Sequence, residues 1–95
     1  MEFKGTPGPW THSDSYGLHE TIGGSIHGGG NTLCHVMGKG IWKGKATANA
    51  KLIAAAPELL EQLIRLRNKI ADYDPDDDDH LHIVDAVINK ALGRE

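Results

Sequence analysis

Residues 46–72 read ATANAKLIAAAPELLEQLIRLRNKIAD, and the spacing of their apolar side chains settles the second half of the fold. Ala46, Ala50 and Ile53 recur at helical intervals, with Leu52 and Ala56 beside them, up to Pro57. Proline has no N–H to offer the carbonyl of Ile53 and pushes Ala56 away from helical geometry, so the spacing predicts a kink or break there. Proline also suits a first helical turn, which predicts a second helix over 57–72. On that helix Leu59, Leu63, Leu66 and Ile70 form one stripe, and Leu60 and Ile64 form another beside it. Two adjacent stripes are wider than a small sheet can cover. The excess, Leu59, Leu63, Leu66 and Ile70, is expected to meet a second copy of the chain.

Upstream the period changes. Ten of the twelve glycines fall in the first forty residues, separating short β-type runs at Trp10–His12, Leu18–Ile22, Ser25–His27 and Thr32–Met37. Glycine-punctuated short strands predict hairpins, and GGGN at 28–31 is the best turn, because glycine accepts the positive φ that tight hairpins require. In 32–37, Leu33, His35 and Met37 alternate with Cys34 and Val36, which puts apolar side chains on both faces and predicts a central strand. The fold class expected is α+β: a small antiparallel β-meander of three or four strands over 1–42, then two to three α-helices over 46–95, in one domain.

The tail DYDPDDDDHLHIVDAVINKALG at 72–93 reads as a turn and a last helix. Asp74–Pro75 stops the preceding helix, the aspartates at 76–79 suit a helix N-terminus, and Lys90 and Gly93 supply C-terminal signals. Leu81, Val84, Val87, Ile88 and Ala91 form its predicted buried stripe.

The net charge of −3 is unevenly spread. Residues 1–51 carry five lysines against three carboxylates, whereas 52–95 carry five basic and ten acidic side chains. A chain this acidic lacks the broad basic footprint of a general DNA binder. A domain of this size buries roughly 60–65% of its unfolded surface, and the single cysteine allows no internal disulfide, so self-association is the expected supplement. A lone cysteine, no leader and no apolar run approaching membrane-spanning length point to a soluble protein of a reducing cytoplasm.

Several chemistries fail on spacing. Asp72, Asp74 and Asp76 have the first spacings of a calcium loop, but Asp77 stands where glycine is needed and Ile83 where the bidentate glutamate belongs. His80 and His82 diverge on a helix, and His12, His19, His27 and His35 are scattered along the β region, with no C-x-x-C or H-E-x-x-H to organise a metal. Cys34 and His35 are neighbours on a strand and face opposite ways, so they form no dyad; Cys34 reads as a buried filler. No nucleophile, metal set or acid–base pair emerges, and neither catalysis nor a cofactor is expected.

One stretch invites a ligand. Residues 38–49, GKGIWKGKATAN, set lysine–glycine pairs around a tryptophan at a helix entrance. As a P-loop it misses twice, since Gly40 is only four residues before Gly44 and Ala46 replaces the hydroxyl residue. A glycine-rich, lysine-bearing turn opening a helix still favours an anion. Lys39, Gly40, Trp42, Lys43, Gly44 and Lys45 are therefore the candidate ligand-binding residues, with the N–H groups of Ala46 to Ala48 expected to point at the anion. Trp10 reads as a core anchor, and Trp42 as either an anchor or a base-stacking platform.

TPGPW at 6–10, followed by ANAKLIAAAPELLEQL at 48–63, resembles a set of small bacteriophage and prophage proteins that begin T-P-G-P-W and carry A-N-A-[RK]-L-I-A-A-A-P-E-L-L. The resemblance implies a phage accessory protein acting in the cytoplasm of a bacterial host, and it carries over no catalytic residue. The strand-then-helix layout is also similar to phage Thoeris anti-defence sponges, oligomers that sequester nucleotide-derived immune signals. That similarity implies a non-enzymatic homo-oligomer with a small anionic nucleotide as ligand. Two alternatives stay open: a protein-binding inhibitor of a host defence complex that uses the acidic segment 72–79 as a nucleic-acid mimic, and a structural accessory protein.

Overall fold

The computed structural model describes residues 3–14, 23–38, 41–73 and 78–94, with the backbone alone at 71–73 and 78–80. The order of elements is β1 (Thr11–Ser13), β2 (Ser25–Gly28), β3 (Asn31–His35), α1 (Lys43–Tyr73) and α2 (Asp78–Leu92). This is the α+β class that the sequence predicts, with three antiparallel strands followed by two helices. The run Leu18–Ile22, read as a strand, lies outside the described residues. The chain divides into two compact units, one of Gly5–Pro57 and one of Glu58–Glu95 with Met1–Lys4.

In the first unit the strand order is β1-β2-β3. The β2–β3 hairpin turns through Gly29 and Gly30 at φ 59° and 80°, the paired positive values of a two-residue turn whose twist matches the strands. Among the described residues β3 is thus an edge strand and β2 the central one, correcting the reading of 32–37 as central. An irregularity in pairing between Ile26 and His27 breaks the alternation along β3. Leu33 consequently joins Val36 in the core, and Cys34, paired opposite Ile26, is exposed instead of buried. The core is Ile26, Val36 and Ala50, with Trp10, Leu33 and Ala54 packed on it. Ala46, Ala50 and Ala54, four residues apart, give the helix a flat face on which a sheet can lie close.

α1 does not break at Pro57, which lies inside a continuous helix of 31 residues. Proline removes one backbone bond, to the Ile53 carbonyl, and Ile53 and Ala56 are exposed, so water can reach that turn. The ring also has a packing role. A Cβ on Gly8 would come within 2.8 Å of the Pro57 Cβ, so the TPGPW segment lies directly against the proline of APELL. The Trp10 indole N–H donates to the Thr6 carbonyl at 3.0 Å and closes the same segment on itself.

In the second unit, residues 58–73 of α1 accompany α2. Leu81 and Ile88 are buried and Val84 and Leu92 half-buried, whereas Val87 and Ala91 are exposed, so the buried stripe of α2 is narrower than its apolar pattern. α2 ends in a glycine-terminated cap: the Arg94 N–H donates to the Asn89 carbonyl at 2.8 Å and the Gly93 N–H to that of Lys90 at 3.2 Å. Arg67 joins the helices through a two-pronged contact, Nε to Asp85 Oδ1 at 2.7 Å and Nη2 to Oδ2 at 2.9 Å. Hydrogen bonds from the Arg67 guanidinium hold the Asp85 carboxyl below the usual carboxylate range, against a smaller opposing effect of burial.

A carboxyl depressed by folding stabilises the native state above its unfolded pKa, and the benefit disappears as pH falls through the folded value. The acid limb of unfolding should therefore include this pair below about pH 4. In an acid titration followed by circular dichroism, Asp85→Asn should be less stable than the parent at neutral pH and should converge with it in strong acid. Parallel curves at all pH values would remove the pair from the acid response.

Candidate functional site

The glycine-rich stretch becomes the entrance to α1. The Ile41 N–H donates to the Gly38 carbonyl at 3.0 Å just ahead of the helix. The Trp42 carbonyl then accepts from both Lys45 and Ala46, at 3.1 and 3.2 Å. Trp42 is accordingly the N-cap and Lys43 the first helical residue, three positions earlier than the apolar period indicates. The N–H groups of Ala46 to Ala48, expected to face a ligand, instead lie within the helix. The groups of Lys43 and Gly44 take their place at its open end.

Helix entrances are commonly closed by a Ser, Thr, Asp or Asn side chain and favoured by acidic residues in the first turn. Here the cap is tryptophan, the first turn has no acidic residue, and Lys43 and Lys45 place positive charge at the positive end of the helix dipole. Both lysines are exposed. Positive charge concentrated in this way costs stability in isolation and favours an anion.

The Trp42 side chain has a definite seat although it is 67% exposed. A Cβ added to Gly44 would collide with Cζ3 and Cη2 of the indole, so the six-membered ring rests over the glycine Cα. With that exposure Trp42 is no core anchor, whereas Trp10 does pack on the core. Lys39 and Gly40, the other candidate ligand residues, lie outside the described residues.

Among the described residues the other clusters do not gather into a site. Strand pairing brings Ser25 opposite His35 and His27 opposite Thr32, with Ser25 Oγ 2.9 Å from His35 Nδ1 and Thr32 Oγ1 3.2 Å from His27 Nδ1. These are exposed hydroxyl–imidazole pairs, and among the described residues no carboxylate orients them. The His12 ring is used structurally, its Nε2 lying 2.8 Å from the Gly23 carbonyl. Among the described residues no three metal-ligating side chains converge. An open depression of about 500 Å³ is lined by Gln62, Arg65, Leu66, Asn68 and Lys69, all on α1. Asp74 to Asp77 of the acidic segment lie outside the described residues. Among those residues no helix is long and apolar enough to cross a membrane.

Comparison with known proteins places the chain as a whole. The family model described as Salmonella phage P22 protein Y8K6 matches residues 1–95. No curated protein and no solved structure matches.

Proposed function

The chain belongs to the Salmonella phage P22 protein Y8K6 family, and on that premise we propose that it is a non-enzymatic binding protein that counters host defence by sequestering a small anionic nucleotide-derived signal in the bacterial cytoplasm. The observation that carries the reading is the α1 entrance, where a largely exposed indole rests on Gly44 between two exposed lysines at a helix end with no acidic or polar cap. An indole with one face supported by backbone can stack a nucleobase, a contact worth roughly 1–3 kcal/mol. Lys43, Lys45 and the N–H groups of the first turn supply charge and donors for a phosphate.

Calorimetry against a panel of mononucleotides, cyclic dinucleotides and ADP-ribose tests the reading. A bound nucleotide should be recovered chemically intact. The double change Lys43→Ala, Lys45→Ala should weaken binding at least tenfold, since each charge-assisted contact is worth roughly 1.5–3 kcal/mol, and should make the salt dependence shallower. A nucleotide whose affinity ignores that double change would reduce the turn to an ordinary helix start. Loss of binding to a host protein on changing Asp76 to Asp79 into asparagines would favour the acidic segment instead.

A further inference from the structure

Within the helical unit, one face of α1 is apolar and uncovered. Leu59, Leu66 and Ile70 are 54, 56 and 41% exposed, and Leu63 between them is half-buried. Their intervals are four, three and four residues, the alternation that brings one straight edge of a helix against a second helix of the same pattern. These side chains amount to an apolar strip of a few hundred Å², roughly the size of the largest patch on a typical monomer. Among the described residues of the unit, Leu81 and Ile88 are the buried hydrophobic side chains, and α2 exposes Ile83 and Val87 in addition. A helical pair of this length has too little interior to stand alone, and pairing with a like unit is the usual remedy.

Charge decides the direction of pairing. Along the same half of α1 the exposed ionic residues run from acidic to basic: Glu58 and Glu61 first, then Arg65 and Lys69. Among the described residues, the ion pair of this unit joins Arg67 to Asp85, and no pair is formed by these four. Two parallel copies would set Glu58 against Glu58 and Lys69 against Lys69. Two antiparallel copies would set each acidic end against a basic one.

We infer that α1 pairs with α1 of a second copy of this chain, antiparallel about a two-fold axis near residues 64 and 65. Leu59 then meets Ile70 of the other copy and Leu63 meets Leu66, so every apolar layer joins two large side chains. Glu58 comes beside Lys69 of the other copy, and symmetry makes that contact twice. The contact uses the face of α1 beyond Pro57 and does not depend on the ligand reading of the α1 entrance.

Sedimentation velocity on the full chain under reducing conditions gives the test. The parent should sediment as a dimer at micromolar concentration. Glu58→Lys or Lys69→Glu alone should raise the dissociation constant about tenfold, because each reversal turns two attractions into two repulsions. The combined Glu58→Lys, Lys69→Glu chain should return to within about threefold of the parent. Parallel pairing predicts no such loss, since either single reversal would leave like charges facing one another as before. A parent that stays monomeric at tens of micromolar, single reversals without effect, or a double reversal that only adds the two losses would each overturn the inference. Leu66→Glu, at an exposed position, should give a folded monomer by circular dichroism.

Discussion

Gly24→Ala is expected to lower the melting temperature by on the order of 15 °C, since 1 kcal/mol shifts a domain of this size by about 4–8 °C. Gly24 has φ 88°, a left-handed value that costs an alanine about 1–3 kcal/mol. A Cβ there would also strike the Ser13 carbonyl oxygen and lie 2.8 Å from the His12 Nε2. The obstacle is backbone, so no side-chain rotation relieves it, and β1 must shift from β2 at a further cost of about 1–3 kcal/mol. The His12 contact with the Gly23 carbonyl would be lost in the same movement. Thermal unfolding followed by circular dichroism checks this, and a melting temperature within 3 °C of the parent would show that β1 is not held as described.

Ile26→Ala should be comparably severe for a different reason. Ile26 is fully buried at the centre of the sheet, packed with Val36 and Ala50. Removing its outer carbons leaves a cavity in a core of a few residues, and such changes cost about 2–5 kcal/mol. Ile26→Val, which removes one methyl, should cost about 0.5–1.5 kcal/mol. Met37→Ala, at a side chain mostly in solvent, should stay within about 0.5 kcal/mol. The three variants order themselves by burial, and urea midpoints that failed to follow that order would place the core elsewhere.

Features governed by neighbours in the chain were legible from sequence. GGGN fixes its own turn, because only glycine takes two successive positive φ values without strain, and the alanine and leucine spacing shows where helix replaces strand. Features created by distant contacts were not. The extra residue in β3, which lets Leu33 join Val36 at the core, arises from pairing with β2 and has no mark in 31–36 itself. Pro57 reads as a breaker when only its own turn is considered; its contact with Gly8, almost fifty positions earlier, becomes visible only once the chain is folded. At the candidate site the residue types were legible and the geometry was not. Trp, Lys and Gly are poor signals of a helix start, so the apolar period locates the entrance three residues late. That Gly44 serves as a seat for Trp42 could not be read from either residue alone.

The two tryptophans occupy opposite environments. The Trp10 indole is partly enclosed and tied to the Thr6 carbonyl, whereas that of Trp42 stands largely in water over a helix end. Their fluorescence should therefore separate by wavelength, Trp10 emitting to the blue and Trp42 to the red. Iodide, an anionic quencher drawn by Lys43 and Lys45, should extinguish the red component first. The chain carries two intrinsic optical probes, one reporting whether the sheet is intact and the other whether anything has settled at the α1 entrance.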